Sequence, residues 1–192
     1  MDGRRLIFAL LAALSLLAAG TGPAVHAADK LPLMLVEAPP GTDGPMMLLL
    51  TGDGNWAAFP HGIAEASARH GAPVLALLSR DYMAKVQPVT PERLAADLAG
   101  AVRTQLEAWH KTDIVVVGYS RGADWTPFVL NRWPAELRSR VKAIVFVGLS
   151  NTASFEFHFE DLFRDVARPT DVPVAPEVAK LEGIPMTCVH GA

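Results

Sequence analysis

The sequence is poor in cysteine, because Cys188 is the only one among 192 residues. A single cysteine excludes an intramolecular disulfide and any metal site built from several thiolates. Cys188 is therefore either a buried structural thiol or the partner of a group on another molecule. The fold has to be stabilised by an apolar core, for which a hydrophobic content of 51% is sufficient.

Runs of charge are also missing. The formal net charge is only −3, and neither a polybasic stretch nor an acidic tail occurs anywhere in the chain. This pattern argues against nucleic-acid binding and against a polybasic membrane patch. We expect one globular α/β domain that needs no cofactor.

One long apolar run is present, close to the N-terminus. Arg4 and Arg5 precede apolar residues that extend from Leu6 to Ala19, and small residues at Val25 and Ala27 follow. The run is shorter than the roughly 20 residues that span a bilayer. The pattern predicts a signal peptide over residues 1–27, cleaved after Ala27, and export to a bacterial periplasm. An N-terminal membrane anchor is the alternative; the match to a twin-arginine signal is weak.

The mature chain divides into an extended, Pro- and Gly-rich arm over residues 28–45 and a domain over residues 46–192. Leu31 to Val36 in the arm can form an edge strand. Apolar runs alternate with helical patterns, which predicts a mostly parallel sheet covered by helices on both faces, as in α/β hydrolases. The predicted strands are residues 46–50, 73–78, 114–118, 143–148 and 185–189.

The most informative stretch is Gly118-Tyr119-Ser120-Arg121-Gly122, which follows a buried strand and precedes a predicted helix. G-x-S-x-G in this setting predicts a nucleophilic serine on a tight strand-to-helix turn. The glycines let strand and helix approach each other closely. The Arg121 amide, at the helix N-terminus, is then placed to stabilise a developing oxyanion. A glycine-rich turn with a capping serine is the simpler alternative.

A second glycine turn, Thr51 to Trp56, follows the strand at residues 46–50. In an α/β hydrolase such a turn supplies the second oxyanion amide, and Gly54 or Asn55 is the candidate donor. Asp53 and Trp56 are candidates for the pocket wall. Asp53 could instead simply cap the following helix.

Other side chains are expected at the same edge of the sheet, where α/β proteins bind ligands. Tyr119 precedes the nucleophile, and Asp124 lies one turn after it, where the helix dipole alone would explain a carboxylate. Asp81 and Tyr82 follow the strand at residues 73–78. His158 belongs to a stretch of alternating aromatic and polar residues, 155–159, that predicts an edge strand or a lid over an apolar substrate.

Several segments together resemble the VirJ/AcvB family of bacterial virulence proteins, which are periplasmic α/β hydrolases associated with type IV secretion. The resemblance covers the chain from about Met47 onward, with Asn55 where the family has a second glycine. It implies a serine hydrolase-like protein that acts on an acyl ester, with an aminoacylated membrane phospholipid as one substrate, and type IV secretion proteins as possible partners. The segments are Thr51-Gly52-Asp53-Gly54 with Trp56, Thr90-Pro91-Glu92 with Asp97-Leu98, Gly118-Tyr119-Ser120 with Gly122-Ala123-Asp124 and Pro127-Phe128, Asn131-Arg132 with Pro134, Gly148-Leu149, Phe155-Glu156-Phe157-His158, and Pro176-Glu177.

The triad of this fold runs in the order serine, acid, histidine. The acid is expected after the strand at residues 185–189 and the histidine one strand later, so we expect this chain to lack the last strand and helix and to be catalytically incompetent. A triad built from His158 or His190 with Asp124 or Asp161 is the alternative. A non-catalytic binding factor for secretion components or their cargo is the competing class of function, since a nucleophile needs its base.

Overall fold

The computed structural model describes residues 31–156 and 168–190. The predicted signal peptide and His158 lie outside these ranges. The strands are β1 Leu33–Val36, β2 Met46–Leu50, β3 Val74–Leu77, β4 Ile114–Tyr119, β5 Val141–Val147, β6 Thr152–Ala153, β7 Val172–Pro173 and β8 Met186–Val189. The helices are α1 Ala58–Arg69, α2 Ser79–Lys85, α3 Pro91–Ala108, α4 Arg121–Arg132, α5 Ala135–Arg138 and α6 Ala175–Ala179.

Six strands form one sheet in the order β1-β3-β2-β4-β5-β8. β1 runs antiparallel to β3 at the edge, and the other neighbouring strands are parallel. After β2 the chain forms β3 on one side of it and then crosses to form β4 on the other. The carboxyl ends of β2 and β4 therefore border the switch point of the sheet, where α/β folds bind ligands.

Helices cover both faces of the sheet, and the strands supply apolar side chains to both. Leu48 and Leu50 of β2 belong to the larger cluster, with residues of α3 and α4, whereas Leu49 packs with Ala64 of α1 in a smaller cluster. Neighbouring residues of a strand point to opposite faces, so a continuously apolar strand is buried on both sides. The predicted fold class, a mostly parallel α/β sheet with helices on both faces, is confirmed.

Packing and proline position set the bounds of three helices. Residues Ser79 to Lys85 form α2 directly after β3, and α6 begins at Ala175, one residue before Pro176. Proline is accepted in a first helical turn, which explains why Pro176 does not delay α6. Pro127 likewise does not delay α4, whose residues from Arg121 to Leu130 are all buried, so that packing offsets the lost hydrogen bond.

The predicted alternating strand at residues 155–159 is only partly within the described structure. The strand found there, β6, ends at Ala153, and Phe155 lies beyond it. The Phe155 ring stacks on Trp125 of α4 at 5.7 Å and meets Phe128 edge to face at 5.3 Å. Phe155 is therefore a packing residue that holds the segment after β6 on α4.

A polar clamp fixes α6 onto α4. The Asn131 side-chain amide donates to both the backbone carbonyl and the carboxylate of Glu177, each at 2.8 Å. Lys180 donates to the same carboxylate at 2.6 Å, and Arg132 lies 3.5 Å from it. This clamp gives a structural reason for the Asn131-Arg132 and Pro176-Glu177 segments of the family resemblance.

None of the helices within residues 31–156 and 168–190 combines the length and apolarity that a bilayer crossing requires.

Candidate active site

Ser120 lies on a strained turn between β4 and α4. Its φ of 53° and ψ of −126° place a non-glycine residue in the left-handed half of backbone space. Such strain persists only where the surrounding structure enforces it, and it is concentrated at functional sites. The Ser120 amide donates to the Val147 carbonyl at 2.8 Å, which fixes the turn to the end of β5.

The flanking glycines are required by close backbone packing. A Cβ on Gly118 would lie 2.5 Å from the Ala123 Cα, and a Cβ on Gly122 would lie 2.1 Å from the Leu50 carbonyl oxygen. No side chain fits at either place. The turn therefore holds Ser120 at the carboxyl edge of the sheet, directly beside the end of β2.

The turn after β2 packs against Ser120. A Cβ on Gly52 would lie 2.8 Å from the Ser120 Cβ and 3.2 Å from its Oγ. The Asn55 amide, however, donates to the Gly52 carbonyl at 3.0 Å and closes a turn with φ of 49° at Asn55. This use of the Asn55 amide argues against Asn55 as the oxyanion donor and leaves Gly54, an exposed residue of the same turn, as the candidate.

The Arg121 amide lies at the N-terminus of the helix that follows Ser120, as the sequence predicts. Arg121 is the first residue of α4, and the first amides of a helix have no acceptor within the helix. The amides of Ala123 and Asp124 both donate back to the Ser120 carbonyl. The positive end of α4 is thus next to Ser120, and the Arg121 amide is the candidate oxyanion donor from this side.

The Arg121 side chain forms an ion pair that sequence reasoning missed. Its Nε donates to Asp53 Oδ1 at 2.6 Å, and its Nη2 donates to Asp53 Oδ2 at 2.9 Å. Asp53 therefore does not project as a free group into a pocket, because both of its oxygens accept hydrogen bonds from Arg121. The sequence contained one signal for this pair, namely an acidic residue in the glycine turn and a basic residue in G-x-S-x-G. Only the packing of the two turns brings these two residues together.

Asp81 and Tyr82 do not form the pocket wall that was expected of them. Asp81 accepts a hydrogen bond from the Asn55 side chain at 2.7 Å and so braces the turn after β2. Tyr82 is fully buried and donates to Asp97 at 2.7 Å. Burial raises the pKa of the Tyr82 phenol, and the hydrogen bond to Asp97 raises it further. Their position in helix α2, rather than in a loop, explains the difference.

Asp124 is buried, and its carboxylate accepts the Ser150 amide at 2.7 Å. This bond fixes the loop after β5 to the first turn of α4. Asp124 thus orders the backbone around the site, a role that its place near a helix N-terminus also favours.

Aromatic side chains border the nucleophile on the α1 side. The Tyr119 ring contacts Phe59 at 4.9 Å between centroids, and Trp56 contacts His61 at 5.5 Å. Phe59 is 51% exposed although it is large and apolar. Tyr119 and Trp56 thus keep their places as pocket candidates, and Phe59 joins them.

The described histidines do not supply an evident base. His70 and His110 follow the carboxyl ends of α1 and α3, so they lie at the amino edge of the sheet, away from Ser120. His61 pairs with Glu65 at 3.4 Å. His190 follows β8 at the carboxyl edge, with β5 between β8 and the nucleophile strand. Within residues 31–156 and 168–190, no group of three or more His, Cys, Asp and Glu side chains could hold a metal ion.

Two surface cavities lie away from this edge. One of about 590 Å³ lies between β1 and α3, and one of about 470 Å³ borders the carboxyl end of α3 and α5. Neither is lined by Ser120, so the strained turn at Ser120, rather than cavity size, identifies the candidate site.

The sequence comparison decides the family. The family described as bacterial virulence protein (VirJ) matches residues 44–192. The chain belongs to the VirJ family. The match covers the whole predicted sheet from β2 onward, including both turns that meet at Ser120. No curated protein sequence matches this VirJ-family chain.

Solved structures share the fold of this VirJ-family chain. The esterase domain from a Rhodothermus marinus protein is 18% identical with a TM-score of 0.56, and the match covers 83% of this chain and 70% of that one. Est1E from Butyrivibrio proteoclasticus is 14% identical with a TM-score of 0.54, covering 83% of this chain and 72% of that one. A probable hydrolytic enzyme from Pseudomonas aeruginosa PAO1 is 20% identical with a TM-score of 0.47, and the match covers 62% of this chain but only 36% of that enzyme. The likenesses to the Rhodothermus marinus esterase domain and to Est1E show the α/β-hydrolase fold.

Proposed function

We propose that this VirJ-family protein is a periplasmic serine hydrolase-like protein that acts on an acyl ester through Ser120. The observation that carries the proposal is the strained Ser120 backbone, held between two glycines that no other residue can replace. A serine held in this way has its Oγ exposed at the end of the sheet, next to the first amides of α4. This is the arrangement that nucleophilic acyl transfer requires.

In the proposed reaction the Ser120 Oγ attacks the ester carbonyl carbon and forms a new carbon–oxygen bond. The carbonyl oxygen becomes an oxyanion, stabilised by the Arg121 amide and by the candidate amide of Gly54. The bond to the alcohol then breaks, and the alcohol leaves with the proton that Oγ gave to a general base. Water hydrolyses the acyl group from Ser120 and restores the hydroxyl.

The proposed substrate class is an ester with an apolar part, of which an aminoacylated phospholipid is the specific candidate. The aromatic pair of Phe59 and Tyr119 beside the nucleophile supports the apolar part. The aminoacyl group rests on the family resemblance alone. Export to the periplasm and contact with type IV secretion proteins belong to the same proposal.

We also propose that residues 1–192 by themselves do not turn over esters. The carboxylates described near Ser120 are engaged elsewhere, Asp53 by Arg121 and Asp124 by the Ser150 amide. Two of the described histidines lie at the opposite edge of the sheet. A general base has to reach the nucleophile within hydrogen-bond distance, and the described side chains do not provide that arrangement.

The test compares the wild-type protein, expressed from its whole gene, with its Ser120→Ala variant, using a fluorophosphonate probe and a p-nitrophenyl ester. The wild type is expected to be labelled, and the variant to lose labelling and roughly a million-fold in turnover. Equal labelling of the two would place the nucleophile elsewhere. Residues 1–192 expressed alone are expected to be folded but inactive, and Ser120-dependent turnover by that chain would contradict the proposed incompetence.

A binding factor for secretion components or cargo is the second candidate. The engagement of Asp53 and Asp124 in structural hydrogen bonds favours it, because it leaves the described site without an evident base. If the complete wild-type protein is neither labelled nor active, yet retains a secretion protein in a pull-down, the hydrolase proposal is wrong and the binding factor is supported.

A further inference from the structure

Two opposite charges are buried together beside the nucleophile. The Arg121 side chain is 9% exposed and that of Asp53 is 20% exposed, and their closest atoms are 2.6 Å apart. The guanidinium meets the carboxylate with two parallel hydrogen bonds, the strongest geometry available to such a pair. Screening by water is weak at this burial, so each charge has a large effect on its surroundings.

The Asp53 carboxylate belongs to the turn that packs against Ser120. Asp53 follows Gly52, which packs directly against the Ser120 side chain, and precedes Gly54, the candidate oxyanion donor. Arg121 follows Ser120 and supplies the other candidate donor. An unpaired Asp53 carboxylate at this place would repel the developing oxyanion, whereas the paired carboxylate presents almost no net charge to it.

The Arg121 guanidinium has a further hydrogen-bond partner besides Asp53. Its Nη1 donates to the Ser154 carbonyl at 3.2 Å, and the indole nitrogen of Trp125 donates to the same carbonyl at 2.9 Å. Ser154 lies just after β6, so the Arg121 side chain connects three segments around Ser120: the turn after β2, the first turn of α4 and the segment after β6. Its position is therefore fixed by several interactions.

We propose that the Arg121 side chain is a positioning residue that neutralises Asp53 and fixes the oxyanion turn against Ser120. This inference rests on the proposed function and adds a role for the side chain to that of the Arg121 amide. What matters for the reaction is that the two charges cancel each other. Removing one partner of a buried ion pair leaves the charge of the other uncompensated. Removing both charges should therefore harm the reaction less than removing Arg121 alone.

The test is a double-mutant cycle on the protein expressed from its whole gene, with Arg121→Met, Asp53→Asn and the double variant. The readout is the rate constant with which a fluorophosphonate labels Ser120. We expect Arg121→Met to lower it roughly 100-fold, as the loss of oxyanion stabilisation does, and Asp53→Asn to lower it less. The double variant should recover at least about tenfold relative to Arg121→Met. With an uncharged ester, kcat should fall while KM stays nearly constant.

Arg103→Met is the matched control, because Arg103 forms an exposed ion pair with Glu136 and should leave labelling unchanged. Urea unfolding and far-ultraviolet circular dichroism show whether each variant is folded. If Arg121→Met does not fold, Arg121→Lys keeps the charge without the paired geometry and should stay within about tenfold of the wild type.

The outcomes separate the two proposals. A wild type that is not labelled contradicts the proposed function, and the inference with it. If the wild type is labelled, two results overturn the inference alone. One is that Arg121→Met and the double variant are labelled equally slowly. The other is that Asp53→Asn is labelled more slowly than Arg121→Met.

Discussion

The Cα of Gly122 faces the Leu50 carbonyl so closely that a Cβ added to it would lie 2.1 Å from the carbonyl oxygen. This contact joins α4, the helix after Ser120, to the end of β2. Both partners are backbone groups, so neither can move aside without displacing the turn that holds Ser120. The identity of Gly122 is thus set by packing, and Ser120 depends on it.

Gly122→Ala is expected to destabilise the fold by about 3 kcal/mol, because an extra methyl in a closed backbone contact forces the chain apart. Gly62→Ala is the matched control: Gly62 lies inside α1 with no atom near its missing Cβ, and alanine there should stabilise the protein by roughly 0.5–1 kcal/mol. Urea unfolding of both variants measures the difference. Equal effects of the two substitutions would contradict the close-contact argument.

Phe59→Ala is expected to weaken the binding of esters with long acyl chains. The exposed Phe59 ring lies on Tyr119, next to the nucleophile, and would cover an apolar chain. Losing that contact should raise KM for an octanoyl ester roughly tenfold, which corresponds to about 1.4 kcal/mol, and leave an acetyl ester unchanged. Leu35→Ala, at an exposed residue of β1 away from the site, is the control. An equal rise of KM for both esters would rule out a chain-specific contact.

Glu177→Gln is expected to destabilise the fold by about 1 kcal/mol at neutral pH, because a charged acceptor of several hydrogen bonds is lost. Burial acts to raise the pKa of Glu177, but the hydrogen bonds from Lys180 and Asn131 outweigh it and hold the pKa below the usual 4.5. A depressed pKa contributes stability that is present above pH 4.5 and is lost as the pH falls through the folded-state pKa.

Urea unfolding of wild type and Glu177→Gln at a series of pH values measures this loss. The difference in unfolding free energy should shrink as the pH drops below 4.5. Glu136→Gln is the control, since Glu136 pairs with Arg103 at an exposed surface and contributes little. A difference that is constant across the pH range would show that the Glu177 charge does not stabilise the clamp.

Cleavage after Ala27 is expected when the full sequence is expressed in a bacterium with a periplasm. The Arg4-Arg5 pair, the short apolar run and the small residues at Val25 and Ala27 are the sequence features that predict a signal peptide cut after Ala27. N-terminal sequencing of periplasmic material should begin at Ala28. An uncleaved protein recovered from the membrane fraction would support the anchor instead.

Local sequence pattern was enough to predict most of the sheet and the place of Ser120. Continuous apolar strands buried on both faces, glycine turns after them and the G-x-S-x-G spacing are all short-range signals. The sequence could not distinguish a helix from a loop at Ser79 to Tyr82, since the burial of Tyr82 depends on Asp97, which lies outside that stretch.

The roles of the polar side chains around Ser120 were decided only by the tertiary structure. Asp53 and Arg121 are 68 positions apart in the chain, and Asp124 and Ser150 are 26 apart. No local pattern can show that such residues meet. Their meeting requires β2, β4 and β5 to be neighbours and their carboxyl-end turns to pack together. The sequence by itself determined which residue is the candidate nucleophile, and the sheet topology determined which charges surround it.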